Sequence, residues 1–269
     1  MRQVKRLLKR IAWKILPYSA VQLIKKCHYL RLLRLSLFEK EPELRVVRYL
    51  VKPGDSVIDI GANVGVYTKI LSELAGPDGH VYSIEPFGPT FEILSYNVRK
   101  LNLNNVEPIK VAMSDSGAVV TMALPYNSSG AETHYRASIV ADRAGECNKE
   151  QMSVQAITID SRFLSACEKI SFIKCDVEGH ELACIKGAAK FLERSQAAWL
   201  IEVSGEPDDT DSAAHFVFKI LKNQDYSAWW YDGDKLRKRR PGDKSTNYFF
   251  LKDKHIDILK KGELEVVST

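Results

Sequence analysis

From residue 46 onward, short apolar runs alternate with stretches whose apolar positions recur at helical spacing. The runs 57–60, 81–84, 106–111, 170–175 and 199–203 read as buried strands, and the segments 66–74, 90–101, 181–192 and 213–221 as helices. Strands separated by helices pair in parallel, with helices covering both faces of the sheet. Two later runs, 226–231 and 248–251, are joined by a polar segment containing Pro and Gly and predict an antiparallel hairpin at the sheet edge. The pattern is that of a doubly wound, mostly parallel α/β sheet of seven strands. After Asp115 it changes: VVTMAL, the polar tract PYNSSGAET and the alternating MSVQAITID predict an inserted pair of strands over the carboxyl edge of the sheet.

Before residue 46 the pattern differs. Val4, Leu7, Leu8, Ile11 and Ile15 recur at helical spacing, with Arg2, Lys5, Arg6, Lys9 and Arg10 on the other faces. Residues 1–45 therefore read as a basic helical arm and residues 46–269 as one catalytic domain. Ten Lys and Arg and no acid lie between Met1 and Arg34, so that stretch carries +10 and leaves −5 on the remainder of a chain whose net charge is +5. Such an arm fits the surface of an anionic membrane, and the same pattern serves for docking on the protein's own core or on a second subunit. Nucleic acid is the weaker fit. Lys14 and Pro17 interrupt what would be the core of a signal peptide, and no run reaches the roughly 20 apolar residues of a membrane span. Five cysteines without a Cys-x-x-Cys pair suggest neither a disulfide framework nor a zinc site. The expectation is a cytoplasmic protein, with peripheral contact at the inner face of a membrane.

The chemistry gathers at VIDIGANVG, 57–65. Gly61 permits a tight turn and close ligand approach, and Gly65 lets the next helix sit near the strand. Asp59 at the strand's carboxyl end would accept hydrogen bonds from a cationic or hydroxylated ligand and repel a pyrophosphate. A second apolar strand, VYSIEP, ends in Glu85, 26 residues beyond Asp59, the ribose-hydroxyl position of nucleoside-binding α/β folds.

With DIGANVGVYT (59–68), SIEP (83–86), AMSD (112–115), IKCDVEGHE (173–181) and IKGA (185–188), the chain resembles the FkbM-type S-adenosylmethionine-dependent methyltransferases over about residues 46–251. The resemblance implies that Asp59, Gly61, Asn63 and Gly65 line the methionine and ribose end of S-adenosyl-L-methionine, that Glu85 grips the ribose hydroxyls, and that Asp115 approaches the adenine amino group. It implies further that Asp176 and Glu178 face the reacting centre, either of them serving as general base for a hydroxyl acceptor. A sugar, a glycolipid or another small metabolite is the acceptor class it suggests. The arm lies outside the resemblance.

Other residues weigh on the site. Gly179 permits an abrupt strand-to-helix turn after Asp176, His180 reads as a hydrogen-bonding or packing residue, and Glu202 ends the fifth strand at the rim of an acceptor pocket. The fourth strand ends in CDVE and not in the Asn/Asp-Pro-Pro-aromatic signature of methylases of exocyclic base nitrogens, which disfavours that substrate. No metal site is assigned. The run KLRKRR (235–240) reads as a solvated loop or a clamp for a phosphorylated head group, and Trp229, Trp230 and Tyr231 as packing residues of a strand. Two rival functions share the composition. A nicotinamide-dependent oxidoreductase would need Gly-x-Gly-x-x-Gly, which Gly61, Asn63 and Gly65 do not reproduce. A non-catalytic nucleoside-binding module held by the arm would have no need of Asp59, Glu85, Asp115 and Asp176 together.

Overall fold

The structure is a computed structural model that describes residues 16–37, 41–123, 138–139 and 151–268. The apolar positions Val4 to Ile15 of the arm and the polar tract 125–133 lie outside the described residues. In chain order the strands are β1 (Ser56–Ile60), β2 (His80–Ile84), β3 (Val106–Ile109), β4 (Ala112–Met113), β5 (Val119–Ala123), β6 (Ser138–Ile139), β7 (Gln151–Ile157), β8 (Ile170–Cys175), β9 (Ala198–Glu202), β10 (Ser227–Tyr231), β11 (Leu236–Lys238), β12 (Asn247–Leu251) and β13 (Val266–Val267). The helices are α1 (Tyr18–Arg34), α2 (Leu44–Leu50), α3 (Val66–Ala75), α4 (Gly88–Lys100), α5 (Ile159–Phe163), α6 (Glu181–Lys186), α7 (Ala189–Arg194), α8 (Ala213–Lys222) and α9 (Asp253–Lys261).

The main sheet runs β13-β11-β10-β12-β9-β8-β1-β2-β3. From β3 to β9 its strands are parallel, and β12 turns antiparallel between β9 and β10. The seven strands legible in the sequence form its body, and the short β11 and β13 extend its outer edge to nine. Alternation along each strand divides the core. Ile58, Ile173, Trp199 and Ile201 meet Phe191, Leu192, Val217 and Leu221 on one face, and Val57, Phe172, Leu200 and Phe249 meet Val47, Leu50, Leu71 and Leu259 on the other.

The chain after β3 leaves the main sheet at once. β4, β7, β5 and β6 make a second sheet in which β5 and β7 pair antiparallel, Val119 opposite Gln155, as the alternating insert predicts. The segment 181–192 is two helices and not one. Gly187 lies so close to Ser114 that a Cβ there would stand 2.0 Å from the Ser114 carbonyl oxygen, and its own carbonyl accepts from the Asp160 amide. The helix breaks to make that contact. α1 lies on α4, with Leu30 and Leu33 buried, Lys26 paired with Glu92 at 3.1 Å and Arg34 Nη2 donating to the Lys100 carbonyl at 3.3 Å.

Candidate active site

A cleft opens at the carboxyl ends of β1, β2 and β8, with β4 and β5 as its far wall. Gly61, Asn63, Glu85, Pro86, Ala112, Met113, Met122, Asp176, Val177, Glu178 and His180 line it. The left-handed turn after β1 makes the opening possible. Gly61 has φ +77°, and a Cβ on it would stand 1.7 Å from the Asp176 carbonyl oxygen, so the turn and the end of β8 interlock. Asn63 is also left-handed, at φ 51°, and Gly65 at φ +96° brings α3 against Leu94 of α4.

Asp59 is fully buried at the base of the cleft. Thr68 Oγ1 donates to its Oδ2 at 2.7 Å and stands 2.9 Å from Ser83 Oγ, while Asp59 Oδ1 is buried without a hydrogen-bond partner. Burial pushes the Asp59 carboxyl up, against the pull of Lys174 and the Thr68 hydroxyl. Register sets Asp59 between Ser83 on β2 and Lys174 on β8, all on one face. Lys174 is itself buried, and its Nζ donates to Asp176 Oδ2 at 2.8 Å and sits 4.6 Å from the centroid of the Tyr67 ring. Burial alone would lower this ammonium, but Asp176 and Asp59 outweigh it and hold it above its ordinary value. It is therefore a fixed buried cation between two carboxylates. Sequence reading passed over it; the signal was a lysine inside the apolar strand ISFIKC, two residues before an acid.

Glu85 is held by backbone alone. The amides of Asn63 (3.0 Å) and Phe87 (2.9 Å) donate to its two oxygens, each of which keeps further acceptor capacity. Burial dominates even so and pushes the carboxyl up to about 7. Asn63 Oδ1 is a further buried acceptor without a partner at the same turn.

Asp176 and Glu178 both line the cleft, and Glu178 and Gly179, at φ 51° and +96°, form the abrupt turn into α6. Glu181 closes that turn by accepting the Gly179 amide at 2.9 Å. Glu202, at the end of the neighbouring β9, is pushed up to about 7 by burial, reinforced by Asp176 and opposed by Lys174. Asp115 lies just beyond the lining, exposed on the loop after β4, and it joins the cleft through Ser114. Ser114 Oγ stands 3.3 Å from Asp115 Oδ1 and 3.0 Å from His180 Nε2. Burial lowers the His180 pKa, with Asp115 opposing, so the ring is a neutral hydrogen-bonding partner at pH 7. The cleft thus brings together Gly61, Asn63, Glu85, Asp176 and Glu178; Asp59 is buried at the end of β1 and does not line it, Gly65 lies outside the lining, and Asp115 is at its margin.

Comparison with known proteins accords with this geometry. The Methyltransferase FkbM domain profile matches residues 59–228, from Asp59 through β10, most of the chain. The chain belongs to the FkbM methyltransferase family. Among curated proteins, this FkbM family member is 32% identical over 87 residues to the protein-L-isoaspartate O-methyltransferase of Ignicoccus hospitalis, covering 30% of the chain and 40% of that protein. It is 26% identical over 175 residues to the hexuronic acid methyltransferase AglP of Haloferax volcanii, covering 63% of the chain and 65% of that protein. In both cases the match spans less than two thirds of the relative's length. A solved FkbM methyltransferase from Methylobacillus flagellatus KT is 17% identical with a TM-score of 0.44, covering 73% of this chain and 43% of that one. The main sheet with its helices is a Rossmann-like fold.

The run 235–240 lies far along the chain from these residues. Three of its cations are taken by local acids: Lys235 by Glu265, Arg237 by Asp232 and Arg239 by Asp208. Trp229 is buried in the core, as its strand position predicts.

Proposed function

We propose that this enzyme moves a methyl group from S-adenosyl-L-methionine to a hydroxyl of a sugar, glycolipid or other small metabolite. The observation that carries the cofactor is the set of buried acceptors at one turn: Asp59 Oδ1 and Asn63 Oδ1 without partners, and the Glu85 oxygens with capacity to spare. These suit the donors of an adenosyl amino acid, the ammonium and the ribose hydroxyls, and the approach over Gly61 leaves room for them. Bound there, the cofactor would supply a methyl group on a sulfonium, a good leaving group. The remaining work falls to the protein: aligning an acceptor and accepting its proton.

Carboxylates around the reacting end favour a hydroxyl over a carboxylate acceptor. Asp59, Asp176, Glu178 and Glu202 converge there, and the Lys174 ammonium is already committed between Asp176 and Asp59. A carboxylate acceptor would meet uncompensated like charge. Asp176 and Glu178 line the same wall, and Glu202, with its pKa of about 7, is matched to take a hydroxyl proton near neutrality. One of these carboxylates would accept the proton that the acceptor hydroxyl gives up on methylation. The hexuronic acid methyltransferase relative is a precedent in name for a saccharide acceptor.

Calorimetric titration with S-adenosylmethionine, S-adenosylhomocysteine and NAD tests the reading. Both adenosyl compounds are expected to bind, with affinity reduced about 10- to 100-fold in Glu85→Ala, the worth of one or two hydrogen bonds to a charged group. Binding of NAD in place of the adenosyl compounds would transfer the site to the oxidoreductase reading.

A further inference from the structure

A second cavity, of about 610 Å³, opens between α8 and the antiparallel edge of the sheet, and no residue lines both it and the cleft. That volume is within the range of roughly 300–1,000 Å³ that holds small molecules. α8 turns one stripe toward it: His215, Phe218, Lys219 and Lys222 follow at helical spacing. The floor is apolar. Phe218 stands edge-on to Tyr248 and Phe250, at 5.0 Å and 4.9 Å between ring centroids, and Ala228, opposite Phe250 in the ladder, has too small a side chain to fill the space. The charges around the cavity divide into spent and unspent. Arg239 lies over the Phe218 ring at 5.2 Å and is paired with Asp208, the one acid of the lining among the described residues, with Nη2 2.6 Å from Oδ1. Lys238 sets its ammonium 5.9 Å from the ring centroid of Trp229, which packs on the opposite face of the sheet. Lys219 and Lys222 are exposed, about one turn apart, and neither has a carboxylate partner among the described residues.

We propose that this cavity binds a small phosphate monoester carried on a ring, with the ring against Phe218 and Ala228 and the phosphate met by Lys219 and Lys222. Two unpaired cations on one stripe match the near-dianionic charge of a phosphate monoester at neutral pH, where a single carboxylate would leave one of them unanswered. The apolar floor beside them selects the ring, since inorganic phosphate would use the cations alone and a neutral ring the floor alone. The run 235–240 shapes the rim through Lys238 and Arg239, but the free charge comes from α8. The cavity shares nothing with the cleft, so the proposal stands whatever the cleft binds.

NMR titrations of phenyl phosphate, inorganic phosphate and phenol against the full chain test the proposal. Phenyl phosphate is expected to bind at least about tenfold tighter than either of the others, and less tightly as salt rises. Lys219→Glu with Lys222→Glu should weaken it about tenfold or more, because attraction becomes repulsion at both positions. Lys260→Glu with Lys261→Glu makes the same change of net charge on α9 and should leave the affinity as it is. All four side chains are exposed, so both variants should keep the wild-type melting temperature. Should the first variant melt early, Lys219→Glu and Lys222→Glu made singly take its place, each expected to cost about threefold. Absence of binding, affinity no greater than for inorganic phosphate, or an equal loss in the two double variants would overturn the proposal. So would displacement of phenyl phosphate by S-adenosylhomocysteine, which would put the probe in the cleft.

Discussion

Glu85 couples the candidate site to stability. Its ordinary carboxyl value is 4.5, and burial raises it to about 7 in the folded protein. Between those values the unfolded chain ionises while the folded protein holds the proton, so stability present below about pH 4.5 is lost as pH rises toward 7. The full effect is on the order of 3 kcal/mol. Thermal melts from pH 4.5 to 8 should show that decline in wild type and a shallower one in Glu85→Gln; equal slopes would refute the assignment. Asp59 and Glu85 were legible in the sequence because each ends an apolar strand beside glycine or proline. Lys174 was not, because its partners reach it across the sheet and across a turn. Thr68, which holds Asp59, was likewise hidden, since a threonine inside a helix carries no sign of the acid it serves.

Gly61 shows how elements lock the cleft. The turn after β1 and the end of β8 touch through backbone, so any side chain at 61 must separate the strands or distort φ +77°. Gly61→Ala is expected to cost at least about 3 kcal/mol, read as a fall in melting temperature or failure to fold, with adenosyl binding lost. The long elements were legible from periodicity alone: the parallel strands, their helices, and the pairing of β5 with β7. What escaped was short or tertiary. β11, β13 and α5 hold too few residues to show a period, and the break at Gly187 is dictated by Ser114, far away in sequence. The strand expected over 106–111 stops at Ile109, because the chain then turns off to place β4 beside β7 of the insert, a competition no local pattern records.

At the scale of the whole molecule, α1 is a fixed appendage of the methyltransferase body. Two buried leucines, the Lys26–Glu92 pair and the Arg34 cap on Lys100 fasten it along α4. Leu30→Ala with Leu33→Ala should lower the unfolding free energy by about 3–6 kcal/mol, measured by denaturant titration, because both side chains leave cavities at the α1–α4 contact. A loss under about 1 kcal/mol would mean that α1 docks loosely. The arm's charge was plain in the sequence; which side of its second half faces the body was not, because both sides of α1 carry leucines. The rigid fastening has a geometric consequence. α4 begins at Gly88, two residues after Pro86 in the cleft wall, so the helix that carries α1 also continues from that wall. What loosens α1 therefore bears on the cleft wall through a single shared helix.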